Sequence, residues 1–187
     1  MKFTLNDFFQ LTKIRLALSV VFSSLAGYFL AADEISIKYV LLLFFGGLSM
    51  VGASNAFNQM IEKDKDFLMK RTFSRPLPSQ RMSSSQVLYI GLILSLLGVT
   101  ALYMINIKTA LVGAISIVLY VFAYTPLKIR TPLSVFVGAI PGAIPYMLGW
   151  VAYTNNFGIE AGILFLFQFF WQFPHFWALA WMFDDDY

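Results

Sequence analysis

Residues 58–78 read NQMIEKDKDFLMKRTFSRPLP, the densest run of charge in the chain, and they follow directly on an uncharged stretch long enough to cross a membrane. Asn58, Glu62 and Asp66 stand at i, i+4 and i+8, so on a helix they share one face, each step rising roughly 6 Å. Oxygen ligands in that arrangement suit a hard divalent cation such as Mg2+. Lys70, Arg71 and Arg75 come next and place positive charge suited to phosphate oxygens beside the carboxylates. A metal-bound diphosphate would satisfy both halves. A solvated connector needs neither carboxylates rising from a membrane span nor an Asn at position 58, where the lipid-embedded part should be apolar.

Working outward, the chain is 59% hydrophobic and 12% charged, with a mean hydropathy of +0.72, which marks an integral membrane protein. Charged residues delimit six neutral stretches, and these predict spans at about 16–32, 39–61, 84–105, 109–127, 132–153 and 161–183. The expected fold is therefore all-α, a polytopic helix bundle in a single domain over 1–187. Asp7 spoils the basic start of a signal peptide, and Lys13 and Arg15 read as anchors of a retained first helix. With the N-terminus inside, eleven of the thirteen basic residues fall on the inner side and only Lys38 and Lys108 on the outer. The bacterial inner membrane with a cytoplasmic N-terminus is the expected location. Basic residues tied to helix ends give no footprint for nucleic acid. With no cysteine, disulfides, thiolate metal sites and a Cys nucleophile are excluded.

Pro76 and Pro78 predict extended backbone through 75–78, and Ser83 with Gln86 has the spacing of a capping box that opens the third span. A second inner loop, 124–132, carries Lys128, Arg130 and two prolines, and is open to two readings, further phosphate contacts or plain anchoring. The Gly138–Gly142 spacing and Pro141 and Pro145 predict a closely packed, kinked fifth span. The sixth carries Gln168, Gln172 and His175 on or near one face. His175, the only histidine, is a candidate haem ligand, proton carrier or interhelical hydrogen-bonding group. Asp184, Asp185 and Asp186 end that span, bringing a second acidic cluster to the same side as the first. Two carboxylate sets flanked by cations fit a diphosphate clamped through Mg2+, whose neutralised charge lets an allylic C–O bond ionise beside aromatic faces.

On these residues the chain resembles the UbiA superfamily of intramembrane prenyltransferases, in its haem-farnesylating branch. Asn58, Glu62 and Asp66, with Asp64 between, match the first Asp-rich motif, and MKRTFSRPLPSQR (69–81) looks like the branch's continuation of it. Residues 11–31 (LTKIRLALSVVFSSLAGYFLA), 124–145 (YTPLKIRTPLSVFVGAIPGAIP) and 171–181 (WQFPHFWALAW) carry the rest of the likeness. Glu62 stands where many members have Asp.

The resemblance implies transfer of the farnesyl group of farnesyl diphosphate to a vinyl group of haem B, giving haem O for terminal oxidases. It implies catalytic roles for Asn58, Glu62, Asp66, Lys70 and Arg71, and diphosphate contacts from Arg75, Lys128 and Arg130. The implied Mg2+ ligands are Asn58, Glu62, Asp66, Asp185 and Asp186, and His175 is the implied haem contact. Haem-handling or oxidase-assembly proteins are the expected partners beyond substrates and lipid. About nine bilayer-crossing helices are implied, of which this sequence holds six, so it is expected to be the N-terminal two-thirds of an enzyme, weakly active or inactive unless completed. The rival readings are a UbiA-type enzyme acting on an aromatic or quinone precursor, a transporter using Glu62, Asp66 and His175 as ion sites, and a structural assembly factor.

Overall fold

In the computed structural model, which describes residues 4–128 and 130–182, those residues form helices and turns with no strand. A short helix α1 (Leu5–Thr12) precedes six helices long and apolar enough to cross a bilayer. These are α2 (Ile14–Ala31), α3 (Ile37–Asp66), α4 (Ser84–Tyr103), α5 (Ile107–Leu127), α6 (Ser134–Thr154) and α7 (Ile159–Met182). Helices are the natural solution for such a sequence, because lipid offers no partner to an open N–H or C=O. Large apolar side chains such as Phe22, Leu96, Phe122, Phe167 and Trp181 point outward, while Tyr28, Leu43, Met50, Leu102 and Leu148 pack inside.

Close approach between helices is made by glycine. A Cβ at Gly149 of α6 would overlap the Ser24 carbonyl of α2, and one at Gly27 of α2 would overlap the Tyr146 carbonyl of α6, so two backbones touch with no side chain between them. Gly138 gives room to the Tyr124 ring, and Gly142 to Gln172. Gln172 is buried and donates from Nε2 to the Gly142 carbonyl at 3.2 Å. Pro141 and Pro145 lie inside α6 without ending it.

Four local features differ from, or sharpen, the sequence expectations. First, α3 runs on as helix to Asp66, past the apolar limit at 61, so the carboxylates stand on a rigid element rather than a loop. Second, residues 75–80 form successive turns instead of extended chain, with Ser79 N donating to Arg75 O and Met82 N to Pro76 O, both at 3.0 Å. The prolines there close turns that fold the loop back on α3. Third, α5 passes through a π-helical stretch, Leu119–Tyr124, just ahead of Pro126, whose missing N–H favours such a register change. Fourth, Ser83 and Gln86 form the expected capping box, Gln86 N to Ser83 Oγ at 3.2 Å and Ser83 N to Gln86 Oε1 at 2.9 Å.

Helix α1 is not legible in the sequence as a separate element. Thr4 caps it in a reciprocal box with Asp7, and Asp7 reaches across to Arg81 at 2.9 Å, tying the N-terminal helix to the loop after α3. The Thr4 backbone N–H and hydroxyl, and then Arg81, hold the Asp7 carboxyl below the usual carboxylate range. A carboxylate with a depressed folded pKa stabilises above its unfolded value and loses that contribution as pH falls through the folded one. Amide hydrogen exchange over residues 5–12 is therefore expected to be slow at pH 5 and to accelerate, relative to the intrinsic rate, below the ordinary Asp value of 3.8. Asp7→Asn should show fast exchange already at pH 5.

Candidate functional site

One face of α3 is polar along about three turns, from Asn55 to Asp66. Asn55, Asn58, Gln59, Glu62 and Asp66 are all buried, and their partners come from several other elements. Asn55 Nδ2 donates to Thr12 O at 3.1 Å, and Gln59 Nε2 to Leu11 O at 3.0 Å and Gln10 O at 3.3 Å. Asn58 Nδ2 donates to Thr125 Oγ1 at 3.2 Å, and that hydroxyl donates to Tyr120 O at 2.8 Å inside the π-helical stretch. The register change in α5 thus turns Thr125 toward α3.

Ion pairs close the charged end. Arg75 Nη1 lies 2.6 Å from Asp66 Oδ2, and Lys128 Nζ lies 3.5 Å from Glu62 Oε1. The carboxylates are 5% and 8% exposed against 19% and 32% for their cations, so the acids sit deep and the bases form the mouth. Thr72 Oγ1 donates to the Asp66 carbonyl at 2.8 Å and holds the loop over the helix end. A small cavity of about 40 Å³, lined by Glu62, Asp66, Arg71, Arg75 and Lys128 among others, separates the pairs. That is about one water, so an anion enters only by drawing the cations off their carboxylates. A much larger hollow of about 770 Å³ opens on the far side of the loop, beside Asp64, Phe67 and Gln86. It holds neither Glu62 nor Asp66.

Lys13, at the junction of α1 and α2, lies outside the cavity lining but within electrostatic reach of its charges. Its backbone is left-handed (φ 49°), it is half-buried, and burial pushes its amine down to about 8, with Arg75 and Lys128 adding to the shift and Glu62 and Asp66 opposing it.

The remaining expected residues are dispersed. Lys70 and Arg130 are exposed, Lys70 outside the cavity wall, whereas Arg71, also exposed, lines it. His175 is exposed on α7 and stacks on Trp171 with centroids 5.0 Å apart. Asp185 and Asp186 lie outside the described residues. Among the described residues no three His, Cys, Asp or Glu side chains gather around one point. Glu62 and Asp66, one turn apart and both buried beside cations, nonetheless fit Mg2+, which takes one or two carboxylates and fills its octahedron with water and substrate phosphates.

Thr125, Lys13, Asn55 and Gln59 were not among the expected site residues. The carboxamides at 55 and 59, one turn apart within an apolar span, were the available signal. Thr125→Val should leave the buried Asn58 amide without an acceptor, which costs about 1–3 kcal/mol. A fall in the thermal unfolding midpoint of the detergent-purified protein, absent in Thr125→Ser, checks this.

The profile of the UbiA prenyltransferase family matches residues 20–187. The chain belongs to the UbiA prenyltransferase family. It is 64% identical over 185 residues to the protoheme IX farnesyltransferase of Flavobacterium psychrophilum, covering 97% of this chain and 62% of that protein. With the protoheme IX farnesyltransferase of Christiangramia forsetii the identity is 62%, over 98% of this chain and 61% of that one. The chain thus spans about three-fifths of the length of the curated relatives it matches. The UbiA fold is seen again in a homolog from Archaeoglobus fulgidus bound to GPP and Mg2+, with a TM-score of 0.76 at 15% identity over 96% of this chain and 65% of that one. A digeranylgeranylglyceryl phosphate synthase structure gives 0.80 at 23% identity over 88% of this chain and 58% of that one.

Proposed function

We propose that this UbiA-family chain carries the diphosphate-activating part of a protoheme IX farnesyltransferase, which joins the farnesyl group of farnesyl diphosphate to a vinyl carbon of haem B to give haem O. The observation that carries it is the buried Asn58–Glu62–Asp66 face closed by Arg75 and Lys128, in a chain 64% identical to a protein of that name.

In this reading Glu62 and Asp66 hold Mg2+, with Asp185 and Asp186 as further ligands from beyond α7. The metal, when bound, neutralises the diphosphate and makes it a better leaving group. Arg75 and Lys128 let go of the carboxylates and take phosphate oxygens, so the same cations that cap the carboxylates hold the substrate. Arg71 and Lys70 bring further charge from the exposed side of the loop, and Arg130 from the neighbouring one. Asn58, locked by Thr125, fixes the floor. The C1–O bond of the allylic diphosphate breaks with its electron pair leaving on diphosphate. The farnesyl cation is then captured by the vinyl carbon, and water adds the hydroxyl with loss of a proton. His175, exposed beside Trp171, is the haem contact. The loops 67–83 and 128–133 face the cytoplasm of a bacterial inner membrane, as the distribution of basic residues favours, and haem-handling or oxidase-assembly proteins meet the enzyme there.

The test is a membrane assay with haem B, farnesyl diphosphate and Mg2+, on this chain and on a form as long as its relatives, read by mass spectrometry. Farnesylated haem that disappears with EDTA is the expected result. Absence of product from both forms overturns the haem assignment.

A further inference from the structure

On the far side of the loop from the buried carboxylates, we propose that the hollow between the end of α3 and the start of α4 binds one membrane phospholipid whose headgroup carries both a phosphate and a primary ammonium, a phosphatidylethanolamine. None of its lining residues is shared with the small cavity, so the proposal stands apart from the diphosphate reading.

The hollow measures about 770 Å³, inside the range of about 300–1,000 Å³ for small-ligand sites. The two helices set its height in the membrane. The apolar run of α3 ends at Ile61 and that of α4 begins at Val87. Lys63, Asp64, Phe67 and Ser84, which line the hollow, stand within about two turns beyond those limits, where headgroups rather than acyl chains meet a protein. Leu77 and Met82 give it a buried apolar base, packed with Leu11, Ala56 and Val87. On α4, Leu88 and Leu92 continue the face of Ser84 at i+4 and i+8, and both are exposed. A headgroup seated in the hollow therefore has an apolar strip beneath it for an acyl chain.

Charge selects the headgroup. Lys63, Asp64 and Arg81 line the hollow, and Arg81 is already committed. Its Nη1 meets Asp7 at 2.9 Å, its Nη2 donates to Gln10 Oε1 at 3.0 Å and to the Ser74 carbonyl at 2.6 Å, and its Nε donates to Ser79 Oγ at 3.0 Å. Among the described residues, ion pairs join Arg75 to Asp66, Arg81 to Asp7 and Lys128 to Glu62, and Lys63 and Asp64 take part in none. One cation and one anion therefore remain for a ligand. A lipid phosphate suits Lys63 and the Ser84 hydroxyl, and a primary ammonium suits the Asp64 carboxylate. Phosphatidylglycerol brings no cation to Asp64, and phosphatidylcholine has no N–H to donate to it. Basic pockets between membrane helices take up anionic headgroups; the carboxylate in this one shifts the preference to a zwitterion.

The experiment is native mass spectrometry of the detergent-purified chain titrated with an equimolar mixture of dioleoyl phosphatidylethanolamine, phosphatidylglycerol and phosphatidylcholine. One phosphatidylethanolamine should be retained per chain, with a preference of about tenfold or more over the other two, the scale of one charged hydrogen bond. Lys63→Gln should lower its retention by about the same factor, and Asp64→Asn should abolish the preference over phosphatidylglycerol. Both residues are exposed, so neither substitution should lower the unfolding temperature. Arg15→Gln, at an exposed cation on the same side of the membrane but outside the hollow, should leave retention unchanged. Equal retention of the three lipids, or parent-like selectivity in both Lys63→Gln and Asp64→Asn, overturns the site. An equal loss in Arg15→Gln and Lys63→Gln reduces it to general surface charge and overturns it too. Preference for phosphatidylglycerol overturns the zwitterionic assignment. A preference seen in this chain and lost in a form as long as its relatives means that the downstream segment fills the hollow, and overturns the lipid as its occupant.

Discussion

On the proposed function, Asp66→Asn in a form as long as the relatives is expected to lower the rate of farnesyl transfer by roughly 100- to 1000-fold, the scale for removing one preorganised electrostatic group from a transition state. The substitution is nearly isosteric, so it isolates the charge. Asp66 is 3% exposed and paired to Arg75 at 2.6 Å. Its carbonyl, which a substitution leaves intact, still accepts from Thr72, so the loop should stay in place. What changes is the balance of charge in the cavity, and with it the ability to hold a divalent ion next to a diphosphate. Raising Mg2+ should restore part of the rate if the substituted carboxamide still offers its one oxygen. Thermal unfolding should shift little, since Arg75 is partly open to water and can be solvated. A variant within about threefold of the parent rate would sink the metal role of Asp66, and the acidic ladder would then be read as a packing feature of α3.

The ladder was legible because helix geometry is local: residues at i, i+4 and i+8 share a face whatever surrounds them, and charged residues bounded the membrane helices in the same way. The partners of the ladder were legible only in part. Arg75 and Lys128 could be nominated from charge and loop position, yet nothing near them says which carboxylate each one meets. Lys13 read as an anchor at the inner end of the first span, since a lysine before an apolar run usually is one. Its left-handed backbone follows carbonyls at 11 and 12 that accept from Gln59 and Asn55, more than forty residues away, and a local reading has no access to that. Thr125 was hidden for a related reason. A regular helix through residues 119–127 would have turned it elsewhere, and the π-helical register that faces it to Asn58 is a tertiary compromise around Pro126. The turns at 75–80 went the same way: proline restricts the residue before it, but the hydrogen bonds that close those turns decide the path.

Gly149→Val should prevent the folded chain from accumulating in the membrane, and Gly149→Ala should destabilise it by at least about 2 kcal/mol, within the range for overpacking a close contact. In an exposed helix interior, Gly→Ala gains up to about 1 kcal/mol from propensity alone, so the predicted sign is opposite to the default. Space decides it. A methyl at 149 meets backbone, the Ser24 carbonyl and the Tyr28 nitrogen, and backbone cannot rotate away as a side chain can. A methyl at Gly162 on α7 would meet nothing within 4 Å, which makes Gly162→Ala the control that should be neutral or mildly stabilising. The reciprocal contact at Gly27 means that parting α2 from α6 breaks both approaches together, so Gly27→Ala and Gly149→Ala combined should cost less than the sum of the two. Equal unfolding midpoints for Gly149→Ala and Gly162→Ala would show that α2 and α6 do not approach this closely.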